Sequence, residues 1–98
     1  MNTAEYIIKE IQKHKDELKK FGIKKIGLFG SYLRNEQNRK SDIDILIDFE
    51  PDKESFDNFM TVYDIIENLF KNFKVEIVTK NGLSPYLKSK ILKEVKYV

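Results

Sequence analysis

The sequence predicts an α/β (α+β) fold in which a small mixed sheet of three or more strands is flanked by helices. Short apolar runs of strand length at 23–29, 42–49 and 75–79 supply the strands. Longer segments at 3–20, 55–70 and 84–95 repeat apolar residues at near-helical spacing. Gly22, Pro51 and Asn81-Gly82 punctuate them. A chain of 98 residues is large enough for one modest core and too small for a catalytic domain beside a separate substrate domain, so a single domain over 1–98 is expected.

Composition narrows the function classes. Charged residues make up 35% and hydrophobic ones 41%, which is globular rather than disordered. The formal net charge is +2, from 18 basic and 16 acidic residues, and gives no support to a general nucleic-acid-coating role. Lys19-Lys20 and Lys24-Lys25 read as solvated charges. The chain has no cysteine, so disulfides and thiolate zinc sites are excluded. No signal peptide and no apolar run of about 18 residues is present, and a cytoplasmic location is expected.

The first helix is expected from Thr3 to Lys20, with Ile7, Ile11, Leu18 and Phe21 as its apolar stripe. Asn2 followed by Glu5 resembles a capping arrangement, and Gly22 is a C-terminal stop. His14, among Gln12, Lys13 and Lys15, is expected to be an exposed helix residue. The first strand, Ile23 to Phe29, delivers Gly30-Ser31 at its end, and a short helical segment is expected from Ser31 to Leu33. Asn35 suits the turn that follows, because Asn tolerates left-handed backbone. After the second strand, Glu50-Pro51-Asp52 turns the chain into a helix whose Phe56, Phe59, Met60, Tyr63, Ile66, Leu69 and Phe70 read as core, with Asn72 closing it. Val75 to Thr79 is the third strand. Ser84 as N-cap and Pro85 at the first helical position open the last helix, with Leu87, Ile91, Leu92 and Val95 inward. Tyr97-Val98 either packs on the sheet or joins a partner surface.

The chemistry concentrates between Ile26 and Phe49. In the second strand Ile43, Ile45 and Ile47 share one face, and Asp42, Asp44, Leu46 and Asp48 share the other. Carboxylates two residues apart on a strand have Cα atoms roughly 6.5–7 Å apart and point the same way. Asp42 and Asp44 can therefore converge on one or two divalent cations; the bland alternative is the solvated face of an antiparallel strand. Upstream, Gly30-Ser31 at a strand end places free backbone N–H groups and a hydroxyl at a helical turn, an anion site. Together these describe a place for a nucleoside triphosphate with bound magnesium.

The arrangement Gly30-Ser31, ten residues, Asp42-Ile43-Asp44 is similar to the signature of the nucleotidyltransferase superfamily related to DNA polymerase beta. Within it the chain resembles the minimal nucleotidyltransferases, small proteins encoded beside a HEPN-domain toxin. Phe29-Gly30-Ser31-Tyr32, Arg34, Ser41-Asp42-Ile43-Asp44 and Val75-Glu76-Ile77-Val78 carry that resemblance over nearly the whole chain. It implies a nucleotidyltransferase-like fold and transfer of AMP from ATP to a hydroxyl, with release of pyrophosphate. By the same resemblance Asp42, Asp44 and Glu76 are the catalytic and metal-binding residues, holding two Mg²⁺ ions. Gly30 and Ser31 would grip the terminal phosphates, and Arg34 and Arg39, in the intervening loop, lie within sequence reach of the triphosphate.

Glu76 is the one acid within an otherwise apolar strand, and a buried carboxylate there needs a cation, a basic partner or a route to solvent. The family usually has Asp at this position, and one extra methylene displaces the carboxylate by on the order of 1 Å, enough to slow chemistry about a hundredfold. The resemblance implies as acceptor a tyrosine of a cognate HEPN toxin, which makes this chain the antitoxin of a toxin–antitoxin pair acting by AMPylation. One alternative is an antitoxin that neutralises by binding alone. Another is a small-molecule nucleotidyltransferase, which usually needs an additional helical domain. Whether the chain forms a homo- or hetero-oligomer is left open.

Overall fold

The computed structural model describes residues 2–98. Thr3–Lys13 (α1) and Lys15–Lys20 (α2) lead into Ile23–Phe29 (β1), a short helix Gly30–Leu33 (α3) and Ile43–Phe49 (β2). Phe56–Leu69 (α4) follows, then Val75–Thr79 (β3), a 3-10 turn at Lys80–Gly82, Pro85–Glu94 (α5) and Lys96–Tyr97 (β4). The strands form one mixed sheet in the order β3-β2-β1-β4, with β2 antiparallel to β1 and parallel to β3. The parallel pair needs a crossover, and α4 supplies it. No helix among the described residues is long and apolar enough to cross a membrane.

The alternation in β2 builds the core. Ile43, Ile45 and Ile47 are fully buried with Ile26 and Leu28 of β1 against Ile7, Ile11 and Leu18 from the first two helices and Val62, Ile66 and Phe70 from the α4 segment. Burial of each such side chain contributes about 1.5–3 kcal/mol. The helix starts at Asn2 and Ser84 are closed as the sequence indicates, and Ser55 adds a third cap. Asn2 accepts from the Glu5 N–H at 2.8 Å, Ser55 from the Asn58 N–H at 3.1 Å, and Ser84 from the Leu87 N–H at 3.4 Å.

Four expectations are corrected. The helix expected over 3–20 breaks at His14, which is half-buried rather than exposed. Its ring Nδ1 lies 3.0 Å from the Glu10 carbonyl that a continuous helix would give to the His14 N–H, and that N–H turns instead to Ile11. In α4 the buried stripe runs through Val62 and Ile66, whereas Phe56 is 77% exposed, because it stands at the first helical position, ahead of the turns that bury their apolar side. That helix otherwise keeps its expected bounds, ending at Leu69 with the turn through Asn72 after it. The last helix buries none of its residues fully; Leu87 is 45% exposed, and Ile91, Leu92 and Val95 are half-buried.

Of the two readings of the C-terminus, the sheet takes it. Lys96–Tyr97 pairs with Gly27 and Leu28, and the Val98 N–H donates to the Ile26 carbonyl at 2.8 Å. Gly27 makes room: a Cβ there would stand 2.6 Å from Val95 Cγ2 and 2.8 Å from the Lys96 carbonyl oxygen.

Candidate active site

One corner of the sheet gathers the chemistry. Antiparallel pairing sets Phe29 opposite Asp44, so the next residue, Gly30, leaves β1 beside the start of β2. Parallel pairing sets Glu76 beside Asp44 from the other side. Register thus brings three segments, 30–31, 42–44 and 76, to one place. Gly30 is built tightly against the acid. It has φ +80°, and a Cβ on it would lie 2.1 Å from Asp44 Oδ2. Only glycine fits both the left-handed backbone and the contact.

The corner is short of positive charge. Burial, then the Glu76 carboxylate alongside, then Asp42, push the Asp44 carboxyl from an ordinary 3.8 up to about 6, and Arg34 offsets only part of this. Asp44 is half-buried, Asp42 likewise just outside the strand, and Glu76 exposed. Of the three ways open to Glu76, the structure supplies the route to solvent: β3 is the outer strand of the sheet, and among the described residues nothing pairs beyond it.

Ser31 is half-buried and its hydroxyl makes no hydrogen bond among the described residues. The Gly30 N–H is not free, as the sequence suggested, but donates to Glu94 Oε2 at 3.0 Å. Arg34 donates through Nη1 to Glu94 Oε1 and through Nε to Glu36 Oε1, the latter at 2.9 Å. Arg39 stays exposed in the loop, and no described contact ties it to this corner. Asn35 takes the left-handed turn expected of it, with φ 59°.

Glu94 is the residue that sequence reasoning missed. It is the one acid after Glu76, standing among Lys88, Lys90, Lys93 and Lys96, and only that isolation marked it.

The donor set fits magnesium. All the acidic groups are oxygen donors, and Glu76 and Asp42 add to burial in raising the Asp44 carboxyl, a repulsion that a cation would relieve. Among the described residues no three acidic or histidine side chains already close into a metal cage. An open site completed by water and substrate matches the way Mg²⁺ is usually held. The hollows of about 280 Å³ beside Phe70 and Phe73 and about 360 Å³ around Asp48 and Lys80 lie elsewhere, the second at the far end of β2. Asp42 and Asp44 are half-buried and Glu76 is exposed, so the corner reaches solvent.

The raised pKa has a consequence for stability. Because the folded state holds the Asp44 proton more tightly than the unfolded chain, folding loses stability as pH rises from about 4 to about 6 and keeps that penalty above. Asp44→Asn is expected to stabilise the metal-free protein at pH 7.5 by on the order of 1 kcal/mol, the full shift being reduced by solvent screening. Thermal unfolding in EDTA checks this: the gain should be present at pH 7.5 and shrink towards zero at pH 4.

A strand-end Gly-Ser lies beside paired aspartates across an antiparallel ladder, with an acid on the parallel neighbour, the arrangement expected of a nucleotidyltransferase. The family model for the nucleotidyltransferase domain matches residues 11–98, and the chain belongs to that family. It is similar to the protein adenylyltransferase MntA of Thermococcus cleftensis, 39% identical over 99 residues covering 100% of this chain and 98% of that one. A Methanocaldococcus jannaschii protein that carries the adenylyltransferase name provisionally is 40% identical over 102 residues, covering 100% of both. Among solved structures, one provisionally described as a minimal nucleotidyltransferase superposes with TM-score 0.81 at 26% identity, covering 98% of this chain and 95% of that one. The crystal structure of a toxin–antitoxin with AMP-PNP superposes with TM-score 0.65 at 23% identity, over 97% of this chain and 71% of that one, a likeness of fold.

Proposed function

We propose that this chain transfers AMP from ATP to a hydroxyl of a partner protein, a tyrosine of a cognate HEPN toxin, and thereby acts as that toxin's antitoxin. One observation carries the reading: Asp44 meets the bare backbone of Gly30 on one side and the Glu76 strand on the other. The name of the Thermococcus cleftensis relative supports protein adenylyl transfer, and the resemblance to minimal nucleotidyltransferases supports the HEPN partner. The exposure of Glu76 at the sheet edge suits an acceptor hydroxyl presented on another macromolecule.

In this mechanism Asp42 and Asp44, with Glu76, would hold Mg²⁺, two ions by family resemblance. When bound, the metal neutralises the triphosphate and favours the deprotonated acceptor hydroxyl. Ser31 donates its hydroxyl to the terminal phosphates, Gly30 lets the backbone approach them, and Arg34 offers an N–H not used by Glu36 or Glu94. The acceptor oxygen forms a bond to the α-phosphorus as the bond to the β-phosphate oxygen breaks, and pyrophosphate leaves. Glu76, exposed at the edge, would take the acceptor's proton.

The test is incubation of the purified protein with Mg²⁺, ATP labelled at the α-phosphate, and the product of the adjacent gene. Label is expected on the partner, with release of one pyrophosphate per AMP transferred. Absence of label while the protein still neutralises the partner would sink the transferase reading in favour of neutralisation by binding.

A further inference from the structure

We infer that Glu94, contributed by the end of α5, is a positioning residue for nucleotide binding: it fixes the Gly30 peptide and engages the Arg34 guanidinium, which would otherwise be available to pair with Asp44. The inference rests on the nucleotide site proposed above and adds to it a residue 64 positions away from Gly30.

The geometry is specific. One carboxylate oxygen takes the Gly30 N–H at 3.0 Å and the other takes Arg34 Nη1, so a single side chain bridges the peptide and the guanidinium. Burial alone would raise the Glu94 carboxyl, yet the hydrogen bonds from Arg34 and Gly30 outweigh it and keep the group ionised. Glu36 holds Nε from the other side, so Arg34 is clamped at two of its nitrogens while Nη2 makes no hydrogen bond among the described residues. Glu94 itself is held in place, since the residues that follow enter β4 and pair with β1 over the space left by Gly27.

The Gly30 N–H bond contributes to folding, but the ion pair with Arg34 adds little to it. The Arg34 and Glu94 side chains are 47% and 27% exposed, and a pair so open to solvent contributes little to folding. It also sets a further carboxylate beside a corner that already holds Asp42, Asp44 and Glu76. What it does achieve is to occupy a cation that lies near enough to lower the Asp44 pKa. Released, Arg34 would have the neighbouring carboxylates as its nearest anions, and an Arg–carboxylate fork there would compete with the divalent cation.

The experiment is calorimetric titration of ATP with Mg²⁺ into wild type, Glu94→Ala, Glu94→Gln, Arg34→Ala and the Glu94→Ala, Arg34→Ala double variant, with the Gly30 amide followed by NMR. Glu94→Ala is expected to weaken nucleotide binding about 10–100-fold, the range typical of partners that orient a ligand. Its thermal midpoint should fall only by the small amount that loss of the Gly30 N–H bond entails. Glu94→Gln, which keeps an acceptor for the Gly30 N–H, should recover part of the loss and restore the Gly30 amide shift. In the Arg34→Ala background the Glu94 effect should shrink, as a coupled pair requires. Unchanged affinity in both Glu94 variants, tighter binding, or full additivity with Arg34→Ala would overturn the inference. No binding by wild type would overturn the nucleotide site itself, and the inference with it.

Discussion

The Asp42→Ala, Asp44→Ala double variant is expected to lose nucleotidyl transfer by about 10³-fold or more while remaining folded and still binding its partner. A loss of that size corresponds to about 4 kcal/mol of barrier, the scale of electrostatic stabilisation at a reacting phosphate. Two features of the corner set the expectation. Asp44 is packed against Gly30 and crowded by Glu76 and Asp42, so its charge is held where a cation belongs rather than spread into solvent. Folding should survive, because neither aspartate belongs to the buried core and the metal-free protein is relieved of repulsion when Asp44 goes. Transfer of α-phosphate label to the partner measures the first half, and thermal unfolding with a pull-down of the partner measures the second. A variant that protects as well as wild type would identify a pure binder.

Gly30→Ala carries the second large effect and strikes stability and chemistry together. An alanine at φ +80° costs about 1–2 kcal/mol in backbone strain. Its Cβ would also stand 2.1 Å from Oδ2 and 3.0 Å from Cγ of Asp44, so the acid must swing away. A displacement near 1 Å at a reacting centre lowers rate about a hundredfold. Gly22→Ala is the control. It has φ +95° and would meet Lys53 Cβ at 2.5 Å, far from Asp44 in the fold, where Gly22 receives the Glu50 N–H. Both variants should lower the thermal midpoint by roughly 5–15 °C. Only Gly30→Ala should lower transfer per folded molecule. Equal activity losses in the two would mean that Gly30 serves folding alone.

Much of this molecule is legible from local sequence. The strands at 23–29 and 75–79 fall where the apolar runs place them, and Gly22, Asn35 and Ser84 do what their backbone and capping chemistry suggests. The misreadings share a cause, because periodicity records which residues are apolar and not which neighbour covers them. Phe56 belongs to the stripe of α4 by spacing and is left outside by position. For Glu76 the flanking apolar residues leave three ways to satisfy its charge, and the edge position of β3 selects the route to solvent. His14 shows the opposite limit, where one side-chain hydrogen bond to Glu10 interrupts a helix whose hydrophobic pattern continues through it.

Alternation in β2 and the turn at Gly30-Ser31 are properties of the chain itself, since side-chain direction on a strand and backbone freedom at glycine depend only on local covalent geometry. They were sufficient to indicate paired carboxylates and a close backbone approach. The meeting of Asp44 with Gly30 and with Glu76 was decided by pairing, antiparallel on one side and parallel on the other. The arrival of Glu94 at the same corner was decided by the last two-residue strand, which closes the sheet over Gly27. Such contacts arise between segments far apart along the chain, and only packing of the whole sheet selects among the registers that local chemistry allows.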